Sequence, residues 1–135
     1  MTDLVVDTSA AIAILTGEPT ADDVTSELVR AGQRSMSAGT LIELGIVLEA
    51  RIGPAVGGII ERFLRDADIE VVSVDRRPVD RAMEGWRHFG RGRHKAELNF
   101  GDLFAYALAD STERTLQYTD RDFGATDLPV VPKTG

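Results

Sequence analysis

Short apolar runs alternate along this chain with longer stretches in which apolar side chains recur every three or four residues, a pattern that predicts strands and helices in turn. Leu4-Val5-Val6 is a β-branched run ending in Asp7-Thr8-Ser9, residues that cap helices, and a helix is expected over 10–15. Ala21, Val24, Leu28 and Ala31 have helical spacing within 20–33, and 34–38 is compatible with a short strand. The next helix is expected from about Thr40 through Leu41, Leu44, Val47 and Leu48 to Arg51, after which Gly53-Pro54 stops it and starts another. That following helix carries the clearest apolar stripe in the chain, at Val56, Ile59, Ile60, Phe63, Leu64 and Ala67. A strand is expected over 69–74, ending at Asp75, then a helix over 78–89 with Val79, Ala82, Met83, Trp86 and Phe89 on one face. A Gly- and Arg-rich loop at 90–95 leads to a helix opened by Asn99 or Gly101, and the last secure strand is 115–119, ending at Asp120. Residues 128–131 are a candidate edge strand limited by Pro129 and Pro132. Strands alternating with helices specify an α/β fold of three layers, a parallel sheet with helices on both faces.

At 135 residues the chain has the size of a single domain, expected to span 1–135. With 43% apolar and 27% charged residues it has globular composition, and no window of about 18 apolar residues is available to cross a membrane. The N-terminus lacks the basic region and long apolar core of a secretory signal and there is no cysteine, so a cytoplasmic location is expected. The net charge of −7 argues against a nucleic-acid binder until its distribution is considered, because seven of the fifteen basic residues fall within 76–95. Arg87, Arg91, Arg93 and Lys95 are the candidates there for contact with a phosphate backbone, the competing reading being a solvated helix face followed by a charged loop.

In an open parallel sheet, ligands bind beyond the carboxyl ends of the strands, and the residues at those places in this chain are mostly acids. Asp7 follows the first strand, Glu43 lies early in the helix after the second, Asp102 opens the helix after the basic loop, and Asp120 and Asp122 follow the last secure strand. Each has a bland alternative as a helix cap or turn residue: Thr40 to Glu43 and Asn99 to Asp102 both have capping-box spacing. Together they mean more, since carboxylates converging on one crevice repel one another unless a cation is present, and hard oxygen ligands suit Mg²⁺ or Mn²⁺. Ions so held activate water and stabilise the attacking and leaving oxygens at a phosphodiester, so no covalent nucleophile is needed. Ser9 either orients Asp7 or caps its helix, and His88 and His94, without cysteine partners, are read as surface or substrate-facing residues.

The segments Val5-Val6-Asp7-Thr8-Ser9-Ala10, Leu98-Asn99-Phe100-Gly101-Asp102 and Thr119-Asp120-Arg121-Asp122-Phe123, with Glu43 between them, resemble a PIN-domain ribonuclease toxin of the VapC family over nearly the whole chain. The resemblance implies a Mg²⁺- or Mn²⁺-dependent endoribonuclease acting on RNA, a homodimer, and inhibition by a cognate VapB-like antitoxin. It implies Asp7, Glu43 and Asp102 as three of the catalytic and metal-binding acids, with Asp120, nearer the strand end, favoured over Asp122 as the fourth. It also implies supporting roles for Ser9 and Asn99, and a sheet order 3-2-1-4-5. Competing readings are a receiver-type domain with Asp75 as phosphoacceptor and a non-catalytic PIN-like module that binds RNA or a partner. A haloacid-dehalogenase-like phosphatase is disfavoured because Ser9 stands where its second acid is required.

Overall fold

The structure, a computed structural model, describes residues 1–92, 94, 96, 98–119, 123 and 126–128. Its elements follow the order β1 (Leu4–Val6), α1 (Thr8–Leu15), α2 (Ala21–Arg30), β2 (Arg34–Ser37), α3 (Ala38–Ile52), α4 (Val56–Asp66), β3 (Glu70–Val72), α5 (Arg76–Phe89), α6 (Phe100–Thr112) and β4 (Thr115–Gln117). All strand pairings are parallel, in the order β3-β2-β1-β4. The chain therefore winds outward from β1 through β2 to β3 and then crosses back to lay β4 on the other side of β1. That reversal is the topological switch point of a doubly wound sheet, where a crevice opens at the carboxyl end of the first strand. The candidate edge strand at 128–131 lies outside the described residues apart from Leu128, as does any fifth strand it would add.

Period-two alternation in β1 divides the core. Leu4 and Val6 pack into a cluster with Ala10 and Ile12 of α1, Leu28 of α2, Leu44 and Leu48 of α3, and Ile60 and Phe63 of α4. Val5 points the other way, into a cluster with Leu98, Ala105, Tyr106, Leu108, Leu116 and Phe123. Both faces of the sheet are thus covered, giving the three-layer α/β architecture that the alternation predicts. Val5 and Val6 are fully buried, each worth about 1.5–3 kcal/mol relative to exposure.

The structure differs from the sequence expectation in two places that matter. First, α3 begins at Ala38 rather than near Thr40, because Ser37, the last residue of β2, is itself the cap: its Oγ accepts from Gly39 N–H at 3.2 Å. Second, the apolar stripe of α5 is left partly open by the described residues. Its one buried residue is Gly85, where a Cβ would meet the Tyr106 ring of α6, while Val79, Met83 and Trp86 stay 43%, 42% and 38% exposed. With Val74, Pro78 and the 77% exposed Phe100 they line an open apolar groove between α5 and α6.

Helix α3 is held against α6 by a close approach at Gly39, where a Cβ would collide with the Phe104 ring. Gly39→Ala is expected to destabilise the protein by about 1–3 kcal/mol through overpacking. Gly58→Ala, in the exposed part of α4 with open space around it, should stabilise by up to about 1 kcal/mol through helix propensity. Urea midpoints of the two variants check the opposite signs.

Candidate metal centre

Asp7 leaves the end of the central strand β1, and its backbone N–H continues the ladder by donating to Gln117 O of β4 at 2.9 Å. Its side chain caps α1, with Oδ2 accepting from Ser9 N–H at 3.1 Å and from Ser9 Oγ at 2.7 Å. The other oxygen, Oδ1, is buried and has no hydrogen-bond partner among the described residues. Asp7 as a whole is 2% exposed. A buried carboxylate with one satisfied oxygen is costly, and burial pushes the Asp7 carboxyl up to about 7. The Ser9 hydrogen bonds oppose that rise, while the negative charges of Asp102 and Glu43 add to it.

Ser9 does both things the sequence allows, since its N–H completes the helix cap and its hydroxyl orients the carboxylate. The same hydroxyl accepts from Thr119 N–H at 3.0 Å, and Thr119 Oγ1 donates to Ser9 O at 3.3 Å. This clamps the turn after β1 to the segment after β4, the segment that leads to Asp120 and Asp122. Those two acids lie outside the described residues, as do Arg93 and Lys95.

Glu43 is not a helix cap. Its Oε1 accepts from Thr8 Oγ1 at 2.5 Å, a contact between residues 35 apart that draws the first turn of α1 to α3. The carboxylate also rests against the start of α6, where a Cβ on Gly101 would collide with it. Glycine is needed at 101 so that α6 and Glu43 can approach this closely. Asp102 does belong to a capping box: its Oδ2 accepts from Asn99 N–H, and Asn99 Oδ1 accepts from Asp102 N–H, both at 2.9 Å. The cap fixes a carboxylate that is 5% exposed, so the structural reading of Asp102 and the functional one coexist.

Asp7, Glu43 and Asp102, with Thr8, Ser9 and Asn99, line one cavity of about 190 Å³. Among the described residues these acids do not form a closed set of three metal ligands. A closed set is not required, because Mg²⁺ keeps several waters and is commonly bound through one or two carboxylates. The orphaned Asp7 Oδ1 and the all-oxygen donor set fit a hard divalent cation.

Sequence reasoning missed four members of this site. Thr8 and Thr119 are invisible to it because their partners are distant in the chain. Glu18 and Arg51 also line the cavity, and the signal for Arg51 was available, since it follows Glu43 and Val47 at successive four-residue steps of one helix. Of the basic stretch, Arg76 and Arg81 are engaged with Asp80 and Asp110, both at 3.2 Å. Arg87 and Arg91 are exposed, and Arg91 lines the apolar groove, which adjoins the acidic cavity at Asn99. His94 shapes its loop, with Nδ1 accepting from Ala96 N–H at 3.0 Å and its ring edge-on to Phe89. Asp75, the phosphoacceptor of the receiver reading, is exposed beyond edge strand β3 and does not line the cavity.

The family profile that matches this architecture is that of the PIN domain, over residues 4–128. The Ribonuclease VapC of Mycolicibacterium smegmatis is 38% identical over 128 residues, which cover 95% of this chain and 99% of the relative. Among solved structures, the fold is shared with VapC20 of Mycobacterium tuberculosis, described as a sarcin-ricin loop cleaving toxin. That pair has a TM-score of 0.74 at 20% identity, covering 93% of this chain and 95% of the other. A toxin-antitoxin complex from Klebsiella pneumoniae superposes with a TM-score of 0.70 at 15% identity over 96% of both chains. The chain belongs to the PIN-domain family and, within it, to the VapC proteins.

The raised Asp7 carboxyl makes stability depend on pH with a definite sign. Its folded value of about 7 lies above the ordinary 3.8, so the stability it contributes is fully present below about 3.8 and is lost as pH rises through 7. Without divalent ions, the wild-type protein should lose a few kcal/mol from this group between pH 4 and 8, and Asp7→Asn should lack that component. Urea titrations of both proteins across this range check the difference, and equal slopes would show that Asp7 is ionised throughout.

Proposed function

We propose that this chain is a Mg²⁺- or Mn²⁺-dependent endoribonuclease, the toxin of a type II toxin-antitoxin pair, which hydrolyses RNA phosphodiester bonds at the acidic cavity. The observation that carries this reading is the buried, unpartnered oxygen of Asp7 in a cavity shared with Glu43 and Asp102. The names of the VapC relatives support the activity.

Asp7, Glu43 and Asp102 would hold the cation directly or through its bound waters, with Asp120 as the fourth acid and Asp122 as its alternative. Bound there, such an ion would supply an activated water and would stabilise charge on the oxygens that attack and leave phosphorus. The protein's part is to keep its ligands in place. Ser9 occupies one oxygen of Asp7 and leaves the other free, Thr8 fixes Glu43, and the Asn99 cap fixes Asp102. Arg91, in the lining of the groove that meets the cavity at Asn99, and Arg87, in the last turn of α5, are assigned to the RNA backbone, with Arg93 and Lys95 as their neighbours in sequence. Electrostatics support a VapB-like antitoxin that places a basic segment against Asp7 and Asp102, occupying the cation's position. The open groove of Val74, Val79, Met83, Trp86 and Phe100 supports a homodimer, because an apolar surface of this kind is stable when a second copy covers it. Among the described residues no helix is long and apolar enough to cross a membrane.

Asp102→Asn keeps an oxygen that accepts from Asn99 N–H and removes the charge. RNA cleavage in Mg²⁺ or Mn²⁺ is expected to fall by several orders of magnitude while RNA binding largely survives. Sequencing RNA ends after incubation with total RNA and gel-shift titration measure the two quantities, and cleavage at the wild-type rate by the folded variant would overturn the proposal. For the dimer, sedimentation should give twice the chain mass, and Met83→Glu, in the groove, should give the monomer with unchanged circular dichroism. A dimer that survives this substitution must use another surface.

A further inference from the structure

The acidic cavity extends away from Asp7 along the crevice between α1 and α3. Beside Asp7, Ser9, Asn99 and Asp102, its lining includes Ile12 of α1 and Val47 of α3, with Glu18 and Arg51. Glu43, Val47 and Arg51 lie on one face of α3 at four-residue steps, so Arg51 sits about 12 Å from Glu43 along the helix axis. Long side chains on a helix lean toward its N-terminus, which directs the Arg51 guanidinium back along the crevice toward Glu43.

Among the described residues, Arg51 is the one cation in a lining whose other charges are Asp7, Glu18, Glu43 and Asp102. It is exposed and makes no ion pair among the described residues, despite sharing the cavity with those acids. A basic residue in the last turn of a helix complements the helix dipole, and that is the purely structural account of it. The dipole account does not require the residue to face the cavity, and Glu49 and Ala50, in the same turn and also exposed, do not line it. An anionic RNA strand entering a cavity of carboxylates is repelled except where a cation meets it, and guanidinium is suited to hold a phosphate through two parallel hydrogen bonds.

We propose that Arg51 is a substrate-positioning residue, whose guanidinium holds a backbone phosphate neighbouring the scissile one and so directs the RNA strand along the α1–α3 crevice. The inference rests on the ribonuclease reading above. Two helical turns beyond Glu43 on α3, Arg51 is assigned to strand binding and not to the chemical step.

The test measures binding and turnover separately, with the full chain. In an Asp102→Asn background, a fluorescein-labelled single-stranded RNA of mixed sequence is titrated by anisotropy at several salt concentrations. Adding Arg51→Ala should weaken binding about tenfold, the scale of a charge-assisted hydrogen bond, and make the salt slope shallower by about 0.7. Arg51→Lys should restore the slope and only part of the affinity. In the otherwise wild-type protein, Arg51→Ala should raise KM with kcat nearly unchanged, and the penalty should vanish for RNA shortened on one side of the cut. Unchanged affinity and slope for Arg51→Ala, or a lowered melting temperature with unchanged KM, would reduce Arg51 to a helix-end charge and overturn the proposal. If instead the wild-type chain leaves RNA uncut in Mg²⁺ and Mn²⁺, the ribonuclease reading itself fails, and if Asp102→Asn cleaves at the wild-type rate the acidic cavity is not the cleavage site; Arg51 loses its role in either case.

Discussion

The structure turns on a carboxylate placed where a carboxylate is least comfortable. Asp7 ends the central strand of the sheet, almost fully buried, with one oxygen held by Ser9 and the other unsatisfied. Desolvation and two like charges nearby push its carboxyl toward neutrality, and a bound cation would reverse all three effects at once. Capping α1 satisfies one oxygen of this group, and the other is what the proposed divalent ion would bind.

Much of the surrounding architecture serves that position. Strand β1 is central because the chain winds outward from it in one direction and returns on its other side, and this leaves a crevice at its carboxyl end. The helices that supply the other acids are brought in by specific devices and not by general compaction. Glycines at 39 and 101 let α3 and α6 approach each other until Glu43 lies against the first turn of α6. Thr8 then ties Glu43 to the turn that carries Asp7, and Ser9 ties that turn to Thr119, just beyond the neighbouring strand β4. The capping box of α6 gives Asp102 a fixed orientation by satisfying backbone groups that needed partners anyway. Local helix chemistry and the requirements of the site coincide there.

Features of short range were legible in the sequence. The apolar run before Asp7, the β/α alternation and the capping box at Asn99 all follow from neighbours a few residues apart, and the resemblance to VapC proteins rests on those segments. What sequence did not disclose depends on distant contacts or on geometry. The Thr40 to Glu43 spacing suggested a cap, but Ser37 had taken that role, because the strand runs directly into its helix. Glu43 was thereby left for Thr8, whose place beside it is set by the packing of α1 against α3. The α5 stripe was correctly periodic, yet periodicity reports that a face is apolar and does not report what covers it. Asp120 and Asp122 fall outside the described residues, so the choice of fourth acid stays a matter of sequence position.

On the proposed function, a divalent cation occupies the cavity at Asp7. Anomalous diffraction at the manganese absorption edge, from crystals grown with Mn²⁺ near pH 8 where the Asp7 carboxyl is ionised, locates that ion directly. A peak is expected within about 2.0–2.6 Å of Asp7 Oδ1, with Glu43 or Asp102 reached directly or through water. A peak elsewhere on a protein that cleaves RNA in Mn²⁺, with none in this cavity, would contradict it.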